Sequence, residues 1–147
     1  MSIKRRATAK WIGSGLEGKG TLNGTSGVLQ DTPYNTKNRF ENEDGQAGTN
    51  PEELIAAAHA GCFSMALSFQ IDAAGFTADE LQTTATVGME KVEGGFAIEE
   101  IVLDLKGKVK GMEEAKFREL AEVAKINCPV SKALSAVSIK LNISFEG

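Results

Sequence analysis

The chain has 147 residues, of which 41% are hydrophobic and 24% charged, with a formal net charge of −4. This length suits a single domain over residues 1–147, and the acidic balance lacks the electrostatic footprint of a nucleic-acid-binding protein. The N-terminus has no apolar signal segment, and the long apolar run at 54–69 is shorter than the ~20 residues of a membrane-spanning helix. We therefore expect a cytoplasmic protein that contacts neither membrane nor nucleic acid.

The first fifty residues predict three short strands separated by glycine turns. The strands are expected at 8–12, 18–23 and 27–30, which suggests an antiparallel meander. Residues 31–49 are polar and read as a loop that carries Arg39 beside Phe40. A loop of this length in a small domain is either functional or disordered, and its position directly before a helix favours function.

A long helix is predicted to begin after Asn50. Asn50 can cap the helix, Pro51 suits its first position, and Glu53 can complete a capping box. No charged residue occurs from Leu54 to Phe69, and a helix that is apolar nearly all round is a buried one. We expect this central helix to end before a glycine cap at residue 75.

The remaining residues predict strands and helices on one core. Strands at 83–91 and 96–105 form a hairpin, an amphipathic helix runs over 112–126, a short helix spans 130–135, and a strand at 137–145 closes the chain. The fold class is α+β, with antiparallel sheets around the central helix. One sheet and one narrow helical stripe cannot cover that helix, so we expect a homodimer. A monomer with the helix sandwiched by 112–126 is the alternative.

Five side chains are candidates for chemistry: Arg39, Glu52, His59, Cys62 and Cys128. In a reducing compartment the two cysteines are expected to be reactive rather than a structural disulfide. Cys128 precedes Pro129 at the start of a helix, where the helix N-terminus favours a thiolate. His59 lies one turn before Cys62 and can act as a base, and a hydrogen-bonded core histidine is the alternative.

A thiol at position 62 needs an external cation to become reactive. It lies about three turns into an apolar helix, beyond the reach of the helix dipole, and desolvation raises the pKa of a thiol. Arg39, on the loop that enters the helix, is the natural source of charge. Glu52 is the acid best placed to accept the guanidinium group and hold it.

Two motifs carry a resemblance to a known family. They are Asn50-Pro51-Glu52-Glu53-Leu54 running on through Ala60-Gly61-Cys62-Phe63-Ser64-Met65-Ala66-Leu67, and Asn127-Cys128-Pro129-Val130-Ser131-Lys132. Together they closely resemble the osmotically inducible protein C (OsmC) branch of the OsmC/Ohr family, thiol-dependent peroxidases that act on organic hydroperoxides. The resemblance covers most of the chain. Asn127 departs from the family pattern, since a glycine is more usual at this position. We expect this difference to affect the rate of the step that Cys128 performs.

The resemblance implies a mechanism and an assembly. Cys62 is similar to the family's peroxidatic cysteine and Cys128 to the resolving cysteine that forms a disulfide with it. Arg39 resembles the arginine that contacts the thiolate, and Glu52 the glutamate that holds the arginine. The resemblance also implies an OsmC-like fold in an intertwined homodimer, and reduction by a dithiol such as a dihydrolipoyl protein.

Other functions remain open from the residues alone. One His and two Cys at this spacing match no zinc pattern, and no flavin or haem motif is visible, so we expect no metal and no cofactor. The alternative to an enzyme is a redox sensor or a small-ligand binding protein on the same fold.

Overall fold

The computed structural model describes residues 1–147. Its contacts divide the chain into two compact units, residues 1–54 and residues 55–147. The elements in order are β1 (Ala7–Ile12), β2 (Lys19–Gly24), β3 (Thr32–Tyr34), α1 (Thr36–Phe40), α2 (Pro51–Ala73), β4 (Glu80–Val92), β5 (Gly95–Lys108), α3 (Glu114–Asn127), α4 (Pro129–Ala133) and β6 (Ser138–Glu146). The chain is therefore a mixed α+β protein with two small sheets, and the single domain expected from the sequence stays a prediction.

The first unit contains the predicted meander with its third strand displaced. β1, β2 and β3 pair antiparallel in that order. The prediction of a strand at 27–30 is wrong. Gly24 N–H donates to the carbonyl of Leu29, and Asp31 N–H donates to the Asn23 side chain at 2.8 Å. These contacts close residues 25–31 into a turn, and β3 begins only at Thr32.

The polar segment at 31–49 is partly structured. It contains β3 and the short helix α1, where the sequence predicted only a loop. The Asn35 side chain caps α1 by accepting a hydrogen bond of 2.7 Å from Asn38 N–H. This cap places Arg39 on a helical turn rather than on an irregular loop.

The second unit is built on a mixed sheet. β4 and β5 form the predicted hairpin, in which Val92 pairs with Gly95 across a two-residue turn. β6 pairs with β5 in parallel, which corrects the expectation of antiparallel sheets throughout. A parallel neighbour requires a crossover connection. α3 and α4 form that connection, and Cys128 lies between them.

One face of this sheet is the core of the unit. Ile101, Leu103 and Leu105 alternate along β5 and are at most 1% exposed, as the sequence pattern predicted. The α3 residues in the same cluster are Phe117, Leu120, Ala121 and Ala124, and those of α2 are Phe63, Leu67 and Ile71. The Phe117 ring lies against β5 at Gly107, where a Cβ atom would be 2.0 Å from it. Two helices thus pack on one sheet face.

Helix α2 has the predicted ends. Asn50 Oδ1 accepts from Glu53 N–H at 2.8 Å, although the Glu53 carboxylate accepts from Thr49 instead of returning to Asn50. At the other end, Gly75 adopts φ 90°, and Phe76 N–H bonds to the carbonyl of Ile71 in a Schellman motif.

The length and composition of α2 would also allow it to cross a membrane, a test that core helices of soluble proteins pass as well. Its buried residues Phe63, Leu67 and Ile71 pack in the core with the sheet, as in a core helix. The opposite face remains exposed within one chain; Met65 and Phe69 are 64% and 67% exposed.

Candidate functional site

Arg39 and Glu52 form an ion pair within the first unit. Arg39 follows the cap of α1, and Glu52 lies in the first turn of α2. Arg39 Nε donates to Glu52 Oε1 at 2.8 Å and to Oε2 at 3.3 Å. The Glu52 side chain is 11% exposed and that of Arg39 37%. Because both contacts use Nε, the two Nη groups are not engaged by Glu52 and can face another anion.

Cys62 and Cys128 meet within the second unit as free thiols. Cys62 lies partly buried on α2, and Cys128 is fully buried where α3 ends and α4 begins. Burial raises the pKa of the Cys62 thiol, and a hydrogen bond with the Cys128 side chain raises that pKa further. The direction agrees with the sequence argument that an apolar setting opposes the thiolate.

The backbone of Val130 partly offsets these effects. Its hydrogen bond with Cys62 acts to lower the pKa of that thiol, although burial prevails. Val130 is the second residue of α4, after Pro129, which has no N–H. From the sequence, the start of α4 was expected to favour the thiolate of Cys128. The structure directs the first available N–H of that turn to Cys62 instead.

A second polar contact joins the same two helices. His59 on α2 is fully buried, and its Nε2 lies 2.8 Å from the hydroxyl oxygen of Ser131 on α4, which is 5% exposed. Burial lowers the pKa of His59, and its Nδ1 has no hydrogen-bond partner. His59 is therefore a hydrogen-bonded core histidine, one of the two interpretations left open by the sequence.

Ser131 was missed by the sequence analysis. The signal that could have found it is its position three residues after Cys128 on a predicted helix, because residues i and i+3 share a helical face. With that spacing, Ser131 and Cys128 both face α2.

The predicted site residues thus occur as two pairs. Arg39–Glu52 belongs to residues 1–54 and Cys62–Cys128 to residues 55–147, and a functional link between the pairs stays a prediction. The structure contains no group of three or more His, Cys, Asp or Glu side chains that could hold a metal ion. The chemistry available at the second pair is thiol–disulfide chemistry.

Comparisons with known proteins agree on one family. The model of the OsmC-like protein family matches residues 43–144. Peroxiredoxin OsmC of Escherichia coli (strain K12) is 48% identical over 136 residues, which cover 92% of this chain and 93% of that protein.

Solved structures of two organic hydroperoxide resistance proteins are also similar. The fold matches the crystal structure of OhrB of Bacillus subtilis with a TM-score of 0.72 at 32% identity, covering 97% and 98% of the two chains. It matches the protein from Elizabethkingia anophelis with a TM-score of 0.74 at 27% identity, covering 99% of each.

The buried histidine makes a pH dependence testable. Because the native pKa of His59 lies below its ordinary value, the unfolded chain binds a proton more readily. The free energy of unfolding should therefore fall as the pH drops below about 6.5, by at most about 1.4 kcal/mol per pH unit, and be unaffected by His59 above that pH. Urea unfolding from about pH 5.5 to 7.5 measures this slope.

His59→Gln provides the comparison, since glutamine does not titrate. His59 is the only histidine, so the difference in slope between the wild type and this variant isolates its contribution. Its Hε1 resonance should give a single NMR titration with a midpoint below about 6.5. Identical slopes in the two proteins would contradict the lowered pKa.

Proposed function

The chain belongs to the OsmC-like family, and from that premise we propose that it is a thiol-dependent peroxidase that reduces organic hydroperoxides to alcohols. The observation that carries the proposal is the pair of free thiols of Cys62 and Cys128, which are close enough for Cys128 to raise the pKa of Cys62. The names of the relatives, a peroxiredoxin and organic hydroperoxide resistance proteins, point to peroxide-related redox chemistry.

The proposed reaction has three steps. The Cys62 thiolate attacks one peroxide oxygen, the O–O bond breaks, and the alcohol leaves with a proton while Cys62 becomes a sulfenic acid. The Cys128 thiol then attacks the Cys62 sulfur, which releases water and forms a disulfide. An external dithiol, such as a dihydrolipoyl protein, reduces this disulfide and regenerates both thiols.

Arg39 supplies the positive charge that this reaction needs. Within residues 55–147 the Val130 backbone lowers the pKa of Cys62 but does not outweigh burial, so a cation is required. In the proposal Arg39 is the source of this cation, and Glu52 fixes its guanidinium group through Nε.

The surroundings of Cys62 favour an apolar substrate. Cys62 packs against the hydrophobic core beside Phe63, and α2 carries alanines in the turns before it. An alkyl group that becomes buried there adds about 25 cal/mol per Å² of apolar surface, which hydrogen peroxide cannot gain. We assign the enzyme to peroxide stress defence in the cytoplasm.

The exposed face of α2 is proposed to pack on a second copy of the chain. Ala57, Gly61, Met65 and Phe69 recur every four residues along it and are exposed in one chain. An uncharged stripe of this kind needs cover, and a second copy presents the same stripe for symmetric packing. This arrangement corresponds to the intertwined homodimer expected from the sequence.

The first test follows peroxide consumption with a dithiol supplied. Wild-type protein should turn over many equivalents of tert-butyl hydroperoxide and prefer it to hydrogen peroxide in kcat/KM. Cys62→Ser should abolish consumption. Cys128→Ser should consume one equivalent rapidly and then turn over far more slowly, because its sulfenic acid has no internal thiol partner and must react with the external dithiol. A wild type that is oxidised only once would indicate a sensor instead.

The second test concerns Arg39. In a Cys128→Ser background, Arg39→Ala should raise the pKa of Cys62, seen as thiolate absorbance against pH, and slow peroxide reduction by orders of magnitude. Glu52→Gln should have a milder effect, because it loosens the guanidinium group without removing it. Lys37→Ala, two residues away on α1, is the matched control and should change neither quantity. An unchanged titration midpoint in Arg39→Ala would exclude this role.

The third test concerns assembly. Wild-type protein should sediment at twice the 15.6 kDa mass of one chain. Met65→Lys places a charge on the exposed stripe of α2 and should shift the equilibrium toward monomer. Ala115→Lys, an exposed position of α3, is the control and should leave the mass unchanged. A stable wild-type monomer at micromolar concentration would refute the dimer.

A further inference from the structure

The contacts between α2 and α4 are aligned one helical turn apart. Cys62 meets Cys128 and the Val130 backbone, and three residues earlier His59 meets Ser131. At the start of α4 the spacing is the same, since Ser131 lies three residues after Cys128, the residue at the N-cap position of this helix. Residues three apart lie on one face of a helix, so both contacts join the same two faces. Fixing one contact therefore fixes the register of the other.

We propose that the His59–Ser131 hydrogen bond is a positioning contact that holds α4 so that Cys128 stays opposite Cys62. The inference rests on the proposed peroxidase function for its kinetic consequences. It concerns His59 and Ser131 as residues that act through the two cysteines, without touching the substrate.

The short length of α4 explains why such a contact is needed. The helix spans only Pro129–Ala133, and a helix of five residues has little stability of its own. Its placement depends on tertiary contacts, and a buried hydrogen bond without competing water is an effective one. Loss of the bond leaves a buried group unpaired, so the native state strongly favours the aligned arrangement.

The geometry disfavours a role for His59 as the base that deprotonates a thiol. Its Nε2 is engaged by Ser131, and its Nδ1 has no hydrogen-bond partner, so neither nitrogen bonds to a cysteine. A hydrogen bond that needs only a donor or acceptor at the Nε2 position can also be made by a glutamine amide. A glutamine at position 59 can therefore fill a positioning role but cannot transfer a proton as a base.

Alignment matters most after Cys62 has been oxidised. Its sulfenic acid either reacts with the Cys128 thiol, giving a disulfide and water, or with a second hydroperoxide, giving a sulfinic acid and an alcohol. The first path depends on the distance between the two sulfur atoms. The His59–Ser131 contact should therefore speed disulfide formation and protect Cys62 from irreversible oxidation.

The experiment mixes reduced protein with tert-butyl hydroperoxide and follows the oxidation states by acid quench, alkylation and intact mass. Ser131→Ala should oxidise Cys62 at the wild-type rate, form the disulfide about tenfold more slowly, and accumulate more sulfinic acid. His59→Phe keeps an aromatic ring that has no nitrogen and should behave like Ser131→Ala, which provides a second variant if Ser131→Ala fails to fold. Ser135→Ala, exposed and four residues further on, is the control and should match the wild type.

His59→Gln retains a polar group at the Nε2 position and should recover most of the wild-type rate of disulfide formation. Disulfide formation at the wild-type rate in both Ser131→Ala and His59→Phe would overturn the inference. A His59→Gln variant as slow as His59→Phe would also overturn it, in favour of proton transfer.

A second measurement does not depend on peroxidase activity. Equilibration with dithiothreitol gives the equilibrium constant for formation of the Cys62–Cys128 disulfide. This constant should be about tenfold lower in Ser131→Ala, which corresponds to a reduction potential about 30 mV less negative. A wild type that does not react with the hydroperoxide would disprove the proposed function, and the equilibrium would still test the positioning contact. Equal potentials in the two proteins would disprove that contact.

Discussion

The chemistry of the second unit is governed by a thiol that lies where the thiolate form is unfavourable. Cys62 lies on an apolar helix against a hydrophobic core, and burial raises its pKa. A cysteine in such a setting is inert unless neighbouring groups change its chemistry. The end of α3, the proline and the short helix α4 bring a second thiol and a backbone N–H to it. The same burial gives Cys62 apolar surroundings, which favour the proposed organic hydroperoxide substrate.

Much of the fold is readable from the sequence because it rests on local patterns. The alternation of Ile101, Leu103 and Leu105 identified the buried face of β5, and the cap at Asn50 and the glycine at 75 marked both ends of α2. Each of these signals depends only on residues close together in the sequence: the alternation of buried side chains along a strand, or the residues that cap a helix. The hairpin turn before Gly95 belongs to the same class.

The errors occurred where long-range pairing or side-chain contacts decide the structure. A hydrogen bond from Asp31 N–H to the Asn23 side chain closes a turn over residues 25–31, where the glycine-punctuated pattern had predicted a strand. The parallel pairing of β6 depends on residues far apart in the chain, and no local pattern distinguishes it from antiparallel pairing. At the candidate site, all four expected residues lie in side-chain pairs. The Val130 N–H and the Ser131 hydroxyl were missed because their partners become neighbours only through tertiary packing.

The crossover between β5 and β6 also bears on how the molecule folds. Ile101 pairs with Ile139, so this part of the sheet closes a long stretch of chain. Contacts of such sequence separation are slow to form, because the entropy of loop closure is lost before any pairing is gained. Cys128 lies inside the closing loop, whereas Cys62 belongs to a helix formed by local contacts. Cys62 is therefore translated before Cys128, and a disulfide between the two can form only after the crossover segment that carries Cys128 has been synthesised.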